Sequence, residues 1–322
     1  NPFYVRFASS PSATVIGDAA SQSPSFFSLW IGNNDILGFA TSGGVGVDQT
    51  GNTDPSTYGP NDITDPNVFA QVFSGYVESL NANASGGVLY TIPDVTSIPF
   101  FTTVPRDAVP LDAQTAGLLN AQFQAYNEQI LPGLAQFGVI TPEEVAERQI
   151  NFQAGQNFVT LTDESLTDIS QIVQAPPFNL DPETAGLLGQ LRQATNADLI
   201  PLLASGNIGN ILDDQGTLIT GVTVPLGDES VLTVNEQMLI NNARNAYNGT
   251  IQSLAQANDL AFVDVNKLLQ RSQTGIPFDG GILNSTFVTG GAFSLDGVHL
   301  TPRGYALLAN ETIQAINQTY GS

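Results

Sequence analysis

The chain has 322 residues, of which 42% are hydrophobic and 12% charged, so it can bury a large core as one α/β domain or as two smaller ones. Its 30 acidic and 8 basic residues give a net charge of −22, and such a surface repels nucleic acid and anionic membranes. The absence of cysteine excludes disulfides and thiolate chemistry, and the single histidine, His299, excludes a multi-histidine metal site.

The first elements along the chain are predicted to be a helix, a turn and a strand. Ser12 is expected to cap a short helix that extends to about Ala20, and Ser23-Pro24 breaks it. Residues 25–31 form a near-continuous apolar run, which is typical of a parallel strand covered on both faces. A polar loop, an amphipathic helix and a second apolar strand follow, over residues 43–66, about 67–83 and 86–95.

A long segment, residues 97–235, interrupts this alternation and is interpreted as a large, mainly helical insertion. The segments 112–138 and 141–149 are predicted to be helical. Short strands are predicted over residues 157–165, 197–205 and 216–227. Regular alternation then resumes with a helix, a third apolar strand and a closing helix over residues 233–258, 260–266 and 302–320. The chain is therefore predicted to be a single α/β domain, with core parts 1–96 and 236–322 flanking the insertion.

The first apolar strand runs into Gly32-Asn33-Asn34-Asp35. In an open parallel sheet, ligands bind beyond the carboxyl ends of the strands, so these polar side chains are candidates for a site. Taken alone, the stretch is better explained as a polar turn with side-chain to backbone hydrogen bonds.

A second candidate lies in the loop before the closing helix. Asp296 and His299 are three residues apart, and Thr301 and Pro302 form a helix-start signature. A carboxylate that holds one imidazole nitrogen while the other faces a substrate makes up two thirds of a hydrolytic triad. The alternative is a histidine hydrogen-bonded near a helix start for structural reasons.

Together, "GNND" at 32–35 and "DGVHLTPRGYALLAN" at 296–310 resemble the third and fifth sequence blocks of the SGNH, or GDSL-type, esterase/lipase family. The resemblance implies a three-layer α/β/α, flavodoxin-like fold and ester hydrolysis through a serine acyl-enzyme, with no metal and no cofactor. It makes His299 the general base, Asp296 its orienting acid and Asn34 the oxyanion donor. Gly32 would permit the tight turn, and Asp35 would brace the loop.

The chain departs from the family pattern because it contains no G-D-S block. In "IGDAAS", at 16–21, alanine holds the serine position, and the stretch lies in a predicted helix. The nucleophilic serine, the first one or two strands and any export signal are therefore expected upstream of Asn1. A chain without them would expose the edge of the 25–31 strand, so we expect it to be poorly stable and inactive alone.

Several alternatives stay open at this stage. Lipid or short-chain esters are the first expectation for the substrate and acetylated polysaccharides the second, and a non-catalytic binding protein on a decayed hydrolase scaffold is the rival class. Ile98, Phe100 and Phe101 are candidates for an acyl-chain wall or for core packing. The acidic loop is either solvated, which is the better explanation, or a calcium site; its acids are Asp48, Asp54, Asp62 and Asp65.

The same reasoning gives expectations about partners and location. No nucleic-acid partner and no transmembrane segment are expected, because the surface is acidic and no apolar run approaches the roughly 20 residues of a membrane span. The family resemblance and the low-charge surface favour an exported protein, which would be periplasmic, attached to the outer membrane or secreted.

Overall fold

A computed structural model describes residues 4–321; Asn1–Phe3 and Ser322 lie outside the described residues. Helices α1–α12 span Val15–Ser21, Asn34–Thr41, Pro66–Asn81, Pro99–Thr102, Ala113–Ala125, Leu131–Gln136, Pro142–Arg148, Ser170–Val173, Pro182–Leu188, Val234–Ala257, Val265–Thr274 and Pro302–Tyr320. Strands β1–β9 span Phe27–Leu29, Gly87–Tyr90, Val109–Leu111, Gly155–Asn157, Thr160–Thr162, Leu191–Gln193, Ala261–Val263, Ile276–Phe278 and Gly281–Leu283.

The chain divides into two compact units. The first contains Asn1–Phe39, Gly46–Pro99 and Leu239–Ser322, and the second contains Ala40–Val45 and Phe100–Met238. The long segment of the second unit nearly coincides with the predicted insertion, 97–235. The inclusion of residues 40–45 was not predicted, because nothing in that glycine-rich stretch indicates which part of the chain it joins.

The first unit is built on a parallel sheet with strand order β1-β2-β7. Phe27 of β1 pairs with Gly87 of β2, and Leu89 of β2 pairs with Phe262 of β7. All four residues of β2 are buried, which is the burial expected of a central strand covered on both faces. The three predicted apolar strands are thus confirmed as strands of one parallel sheet, although each is shorter than its apolar run.

Helices cover this sheet through apolar side chains. Val88 and Tyr90 of β2 lie in one buried cluster with Leu307 and Leu308 of α12. Successive strand residues point to opposite faces, so Leu89 faces the other side of the sheet. Helix α3 contacts β1 and buries one stripe with helical spacing, formed by Phe69, Phe73, Val77 and Leu80. The described chain is therefore a mixed α/β protein with a small parallel sheet.

The second unit has its own apolar core, which includes Phe123, Tyr126, Leu131 and Leu161. The predicted helix over 112–138 is present as α5 and α6, joined by a π-helical turn at Tyr126–Ile130. A pair of two-stranded antiparallel sheets, β3–β4 and β5–β6, also belongs to this unit. The segment that was predicted to be mainly helical therefore contains both helices and short antiparallel strands.

Some local predictions were wrong. Thr14, not Ser12, caps α1, and its Oγ1 accepts the Gly17 N–H at 3.1 Å, because Ser12 lies in the preceding turn. Residues 197–205 form isolated bridges and the start of a 3₁₀ helix, Leu202–Gly206, and residues 216–227 form isolated bridges instead of strands. Proline lacks the N–H that a ladder needs, and Pro201 and Pro225 interrupt both runs. No helix within residues 4–321 is long and apolar enough to cross a membrane.

Candidate functional site

A cavity of about 490 Å³ in the first unit brings together most of the predicted site residues. The turn after β1 supplies Gly32, Asn33, Asn34 and Asp35, and the loop before α12 supplies His299. Apolar side chains form most of the remaining wall, including Trp30, Ile31, Ile98, Leu268, Leu307 and Leu308. Polar side chains from two loops therefore lie at the side of a largely apolar cavity.

Gly32 makes the turn out of β1 possible. Its φ is +105°, a backbone region that side-chain-bearing residues rarely adopt. A Cβ at this position would lie 2.7 Å from Phe69 Cε2 and 2.9 Å from Ile92 Cδ1. The buried wall therefore leaves no room for a side chain, and α2 begins two residues later at Asn34.

Replacement of Gly32 by alanine is expected to reduce the free energy of unfolding by about 2 kcal/mol or more, because strain at positive φ adds to the overlap with Phe69. Gly75 is the matched control. It lies inside α3 with no heavy atom within 4 Å of an added Cβ, so Gly75→Ala should stabilise the protein by about 0.5–1 kcal/mol. Urea unfolding of both variants measures the two effects, and equal effects would contradict the assigned role of Gly32.

Asn34 is an available hydrogen-bond donor at the cavity. It is exposed at the first position of α2, and no hydrogen bond joins its side-chain amide to another residue within 4–321. Asp35 is committed instead to the scaffold: its Oδ1 accepts the Thr64 hydroxyl at 2.8 Å, and its carbonyl accepts the Thr64 N–H at 3.3 Å. Burial raises the pKa of Asp35. The bracing role predicted for Asp35 agrees with these contacts.

His299 and Asp296 form the predicted contact, with 2.7 Å between Nδ1 and Asp296 Oδ2. Asp296 Oδ1 accepts the backbone N–H groups of Val298 and His299 at 2.9 Å each and the Ser294 hydroxyl at 2.6 Å. Thr301 then caps α12, accepting the Gly304 N–H at 3.1 Å. Within the described residues Nε2 of His299 has no hydrogen-bond partner, so this nitrogen is available to a ligand.

The surroundings of Asp296 keep its carboxylate ionised. Burial acts to raise its pKa, but the hydrogen bonds from Ser294, Val298 and His299 outweigh burial and hold the pKa far below its usual range. An exposed aspartate has a pKa near ~3.9. Asp296 is therefore ionised at any pH at which an imidazole titrates.

We expect the Asp296 carboxyl carbon to show no titration in NMR spectra between pH 7 and pH 4. Because the pKa is lower in the folded state, this group stabilises the fold above its unfolded pKa, and that contribution is lost as pH falls through the folded pKa. A short, unstructured aspartate-containing peptide gives the reference signal. Protonation of Asp296 alongside that reference would contradict the hydrogen-bonded geometry.

Of the other predicted site residues, only Ile98 lies at the cavity. Of the predicted acyl-chain wall, Ile98 lines the cavity, whereas Phe100 and Phe101 are buried with their rings 4.9 Å apart and are not lining residues. The acids of the 48–65 loop accept backbone N–H groups; Asp62, for example, accepts those of Val47 and Gly59. The loop was predicted to be solvated, with a calcium site as the alternative; its carboxylates instead accept hydrogen bonds from the backbone, and Asp65 is buried.

Apart from Ile98, sequence reasoning did not find the apolar part of the cavity. Trp30 stacks on Tyr90 at 5.6 Å, and Leu268 of α11 joins the wall from a helix that no motif singled out. The only available signal was the apolar run ending at Trp30. No serine hydroxyl within residues 4–321 is hydrogen-bonded to His299. Comparisons with protein-family models, with curated proteins and with solved structures found no match.

Proposed function

We propose that the first unit carries the base and oxyanion-donor groups of an ester hydrolase with an SGNH-type α/β/α fold. One observation carries the proposal: the free amide of Asn34 and an Asp296-held imidazole, His299, line the same largely apolar cavity. A base alone or a donor alone is common, but acyl transfer requires both on one substrate.

The reaction needs a serine hydroxyl, which we place in a segment outside these 322 residues. His299 Nε2 takes the hydroxyl proton as the serine oxygen attacks the ester carbonyl carbon. The carbonyl oxygen becomes an oxyanion and accepts a hydrogen bond from Asn34 Nδ2. Collapse breaks the bond to the alcohol, which receives the proton from His299. Water then hydrolyses the acyl-enzyme by the same steps.

Asp296 positions the imidazole in this scheme. Its ionised carboxylate accepts a hydrogen bond from the Nδ1–H group, which places the lone pair on Nε2 and stabilises the imidazolium that forms. The apolar lining favours an acyl chain over a sugar, so we infer a lipid or short-chain ester as substrate, ahead of an acetylated polysaccharide. We further propose that the protein is exported.

Trp30 makes occupation of the cavity measurable, because it is the single tryptophan of the chain and lines the cavity wall. Titration of the 322-residue chain with decanoate should change its fluorescence. Ile31→Glu places a charge in the wall and should weaken binding by about tenfold or more. Val15→Glu alters another exposed apolar residue, which lies in α1 outside the cavity, and this variant should bind as the parent chain does.

Turnover separates enzyme from binding protein. The 322-residue chain and the chain extended by its upstream coding sequence are assayed with nitrophenyl esters of several lengths, with acetylated xylan and with a fluorophosphonate probe. The proposal predicts turnover and labelling of the extended chain only. Labelling of the 322-residue chain would refute the upstream nucleophile, and ligand binding without turnover in the extended chain would favour the non-catalytic alternative.

A further inference from the structure

Three carboxylates of the second unit meet at a point that the proposed ester chemistry does not use. Glu164 lies just after β5, Asp228 opens a 3₁₀ turn at Asp228–Ser230, and Glu236 lies in the first turn of α10. One oxygen from each residue lies within 4.8 Å of the other two. Because these residues come from three separate segments, tertiary structure, not local sequence, assembles the cluster.

Glu236 shows that the cluster lacks a partner. Its Oε2 completes a capping box by accepting the Thr233 N–H at 2.5 Å and the Thr233 hydroxyl at 2.8 Å. The residue is only 3% exposed, and its Oε1 is buried without a hydrogen-bond partner. Oδ1 of Asp228 is also buried and unpartnered. A buried carboxylate oxygen without a donor is costly, so this geometry calls for a cation.

The backbone of the 40–45 segment closes over these oxygens. A Cβ on Gly44, which has a φ of +85°, would lie 1.6 Å from Glu236 Oε1. A Cβ on Gly43 would lie 2.3 Å from the Asp228 carbonyl oxygen. Gly44 therefore lets the main chain approach the Glu236 carboxylate, and Gly43 lets it approach the backbone of Asp228, where a side chain would overlap in either case.

No basic side chain of the described residues balances this charge. Within 4–321, no ion pair includes Glu164, Asp228 or Glu236. Arg192 is committed to Asp163 and Asp198. Burial, reinforced by repulsion among the acids, raises the pKa of Asp228 to about 7 and that of Glu236 to about 8. Without a cation, these two groups hold protons near neutral pH.

We propose that Glu164, Asp228 and Glu236 bind one calcium ion. Calcium takes oxygen ligands at about 2.3–2.6 Å in flexible geometry, so two ligands of one ion can lie up to about 5 Å apart. The cluster offers only carboxylate oxygens, which suit a hard cation and not copper or zinc. Exposed Glu164 leaves the outer side open to water, which completes the coordination. The ion would join the end of β5 to the start of α10.

Calorimetric titration of the EDTA-treated, dialysed 322-residue chain with CaCl₂ tests the site. We expect one ion per chain, with affinity reduced about tenfold in Glu164→Gln and at least a hundredfold in Glu236→Gln. Glu147→Gln, which changes an exposed acid outside the cluster, should bind as the parent does. Absence of binding up to 5 mM calcium, equal binding by all three variants, or binding of MgCl₂ in preference would overturn the proposal.

Thermal unfolding distinguishes a variant that has lost the calcium site from one that is misfolded. In EDTA, Glu236→Gln should melt no lower than the parent, since the neutral amide replaces a carboxyl group that holds a proton when no cation is present, and it keeps an oxygen for Thr233. In calcium, the melting temperature should rise for the parent and Glu147→Gln but not for Glu236→Gln. If Glu236→Gln melts lower in EDTA, the Glu164→Gln variant decides, because the Glu164 side chain is exposed. An unweakened calcium affinity in that variant overturns the proposal.

Discussion

Replacement of His299 by alanine is expected to lower ester turnover by about four orders of magnitude or more, because it removes the only imidazole in the chain. The measurement uses the extended protein, at saturating nitrophenyl ester. His299 is 69% exposed at its side chain, so added imidazole can reach the vacated position and should restore part of the rate. Leu295→Ala, in the same loop and 76% exposed, is the control and should stay within about twofold of the parent.

Asn34→Ala should lower turnover less, by about 100–1000-fold, because it removes one oxyanion donor while the base remains. This loss should appear mainly in kcat, since the bond to Asn34 strengthens as charge develops on the carbonyl oxygen. Added imidazole should not restore it. Equal losses in the two variants, or rescue of Asn34→Ala by imidazole, would contradict the roles assigned to these residues.

The sheet of the first unit was predictable because its signals are local. Each strand is a short run of apolar residues. The turn at Gly32 begins where the first of these runs ends, and buried side chains surround it. The contact of His299 with Asp296 was predictable for the same reason, because the two residues are three positions apart in one loop and a helix cap fixes the following turn. The catalytic use of that contact stays a prediction.

The second unit was less predictable because its order depends on long-range contacts. Leu199 meets Leu232 through an isolated bridge, and β5 pairs with β6 through Leu161 and Arg192, which are 31 positions apart in the chain. No period in the sequence encodes such pairing. The carboxylate cluster has the same origin: Glu164 and Glu236 are far apart in the chain, and only the folded second unit makes Glu236 Oε1 a buried orphan.

Arg192 shows how much a residue without a motif can contribute. It is 7% exposed on β6, with Nε 2.6 Å from Asp163 Oδ2 and Nη2 2.8 Å from Asp198 Oδ1. Asp198 also accepts the Thr195 N–H and hydroxyl, at 2.7 and 2.9 Å. Among the described ion pairs, the Arg192 guanidinium is therefore the only positive charge that pairs with the buried carboxylates of Asp163 and Asp198.

Arg192→Met should reduce the free energy of unfolding of the second unit by about 3–5 kcal/mol, because it leaves Asp163 and Asp198 buried without a counter-charge. Hydrogen exchange of the β5 and β6 amides measures this loss in the unit itself, which contains no tryptophan. Arg271→Met is the matched control. Its ion pair with Glu311 is 54% exposed on the arginine side, so the change should cost about 1 kcal/mol or less. A similarly small loss for Arg192→Met would mean that water, and not the guanidinium, stabilises the two aspartates.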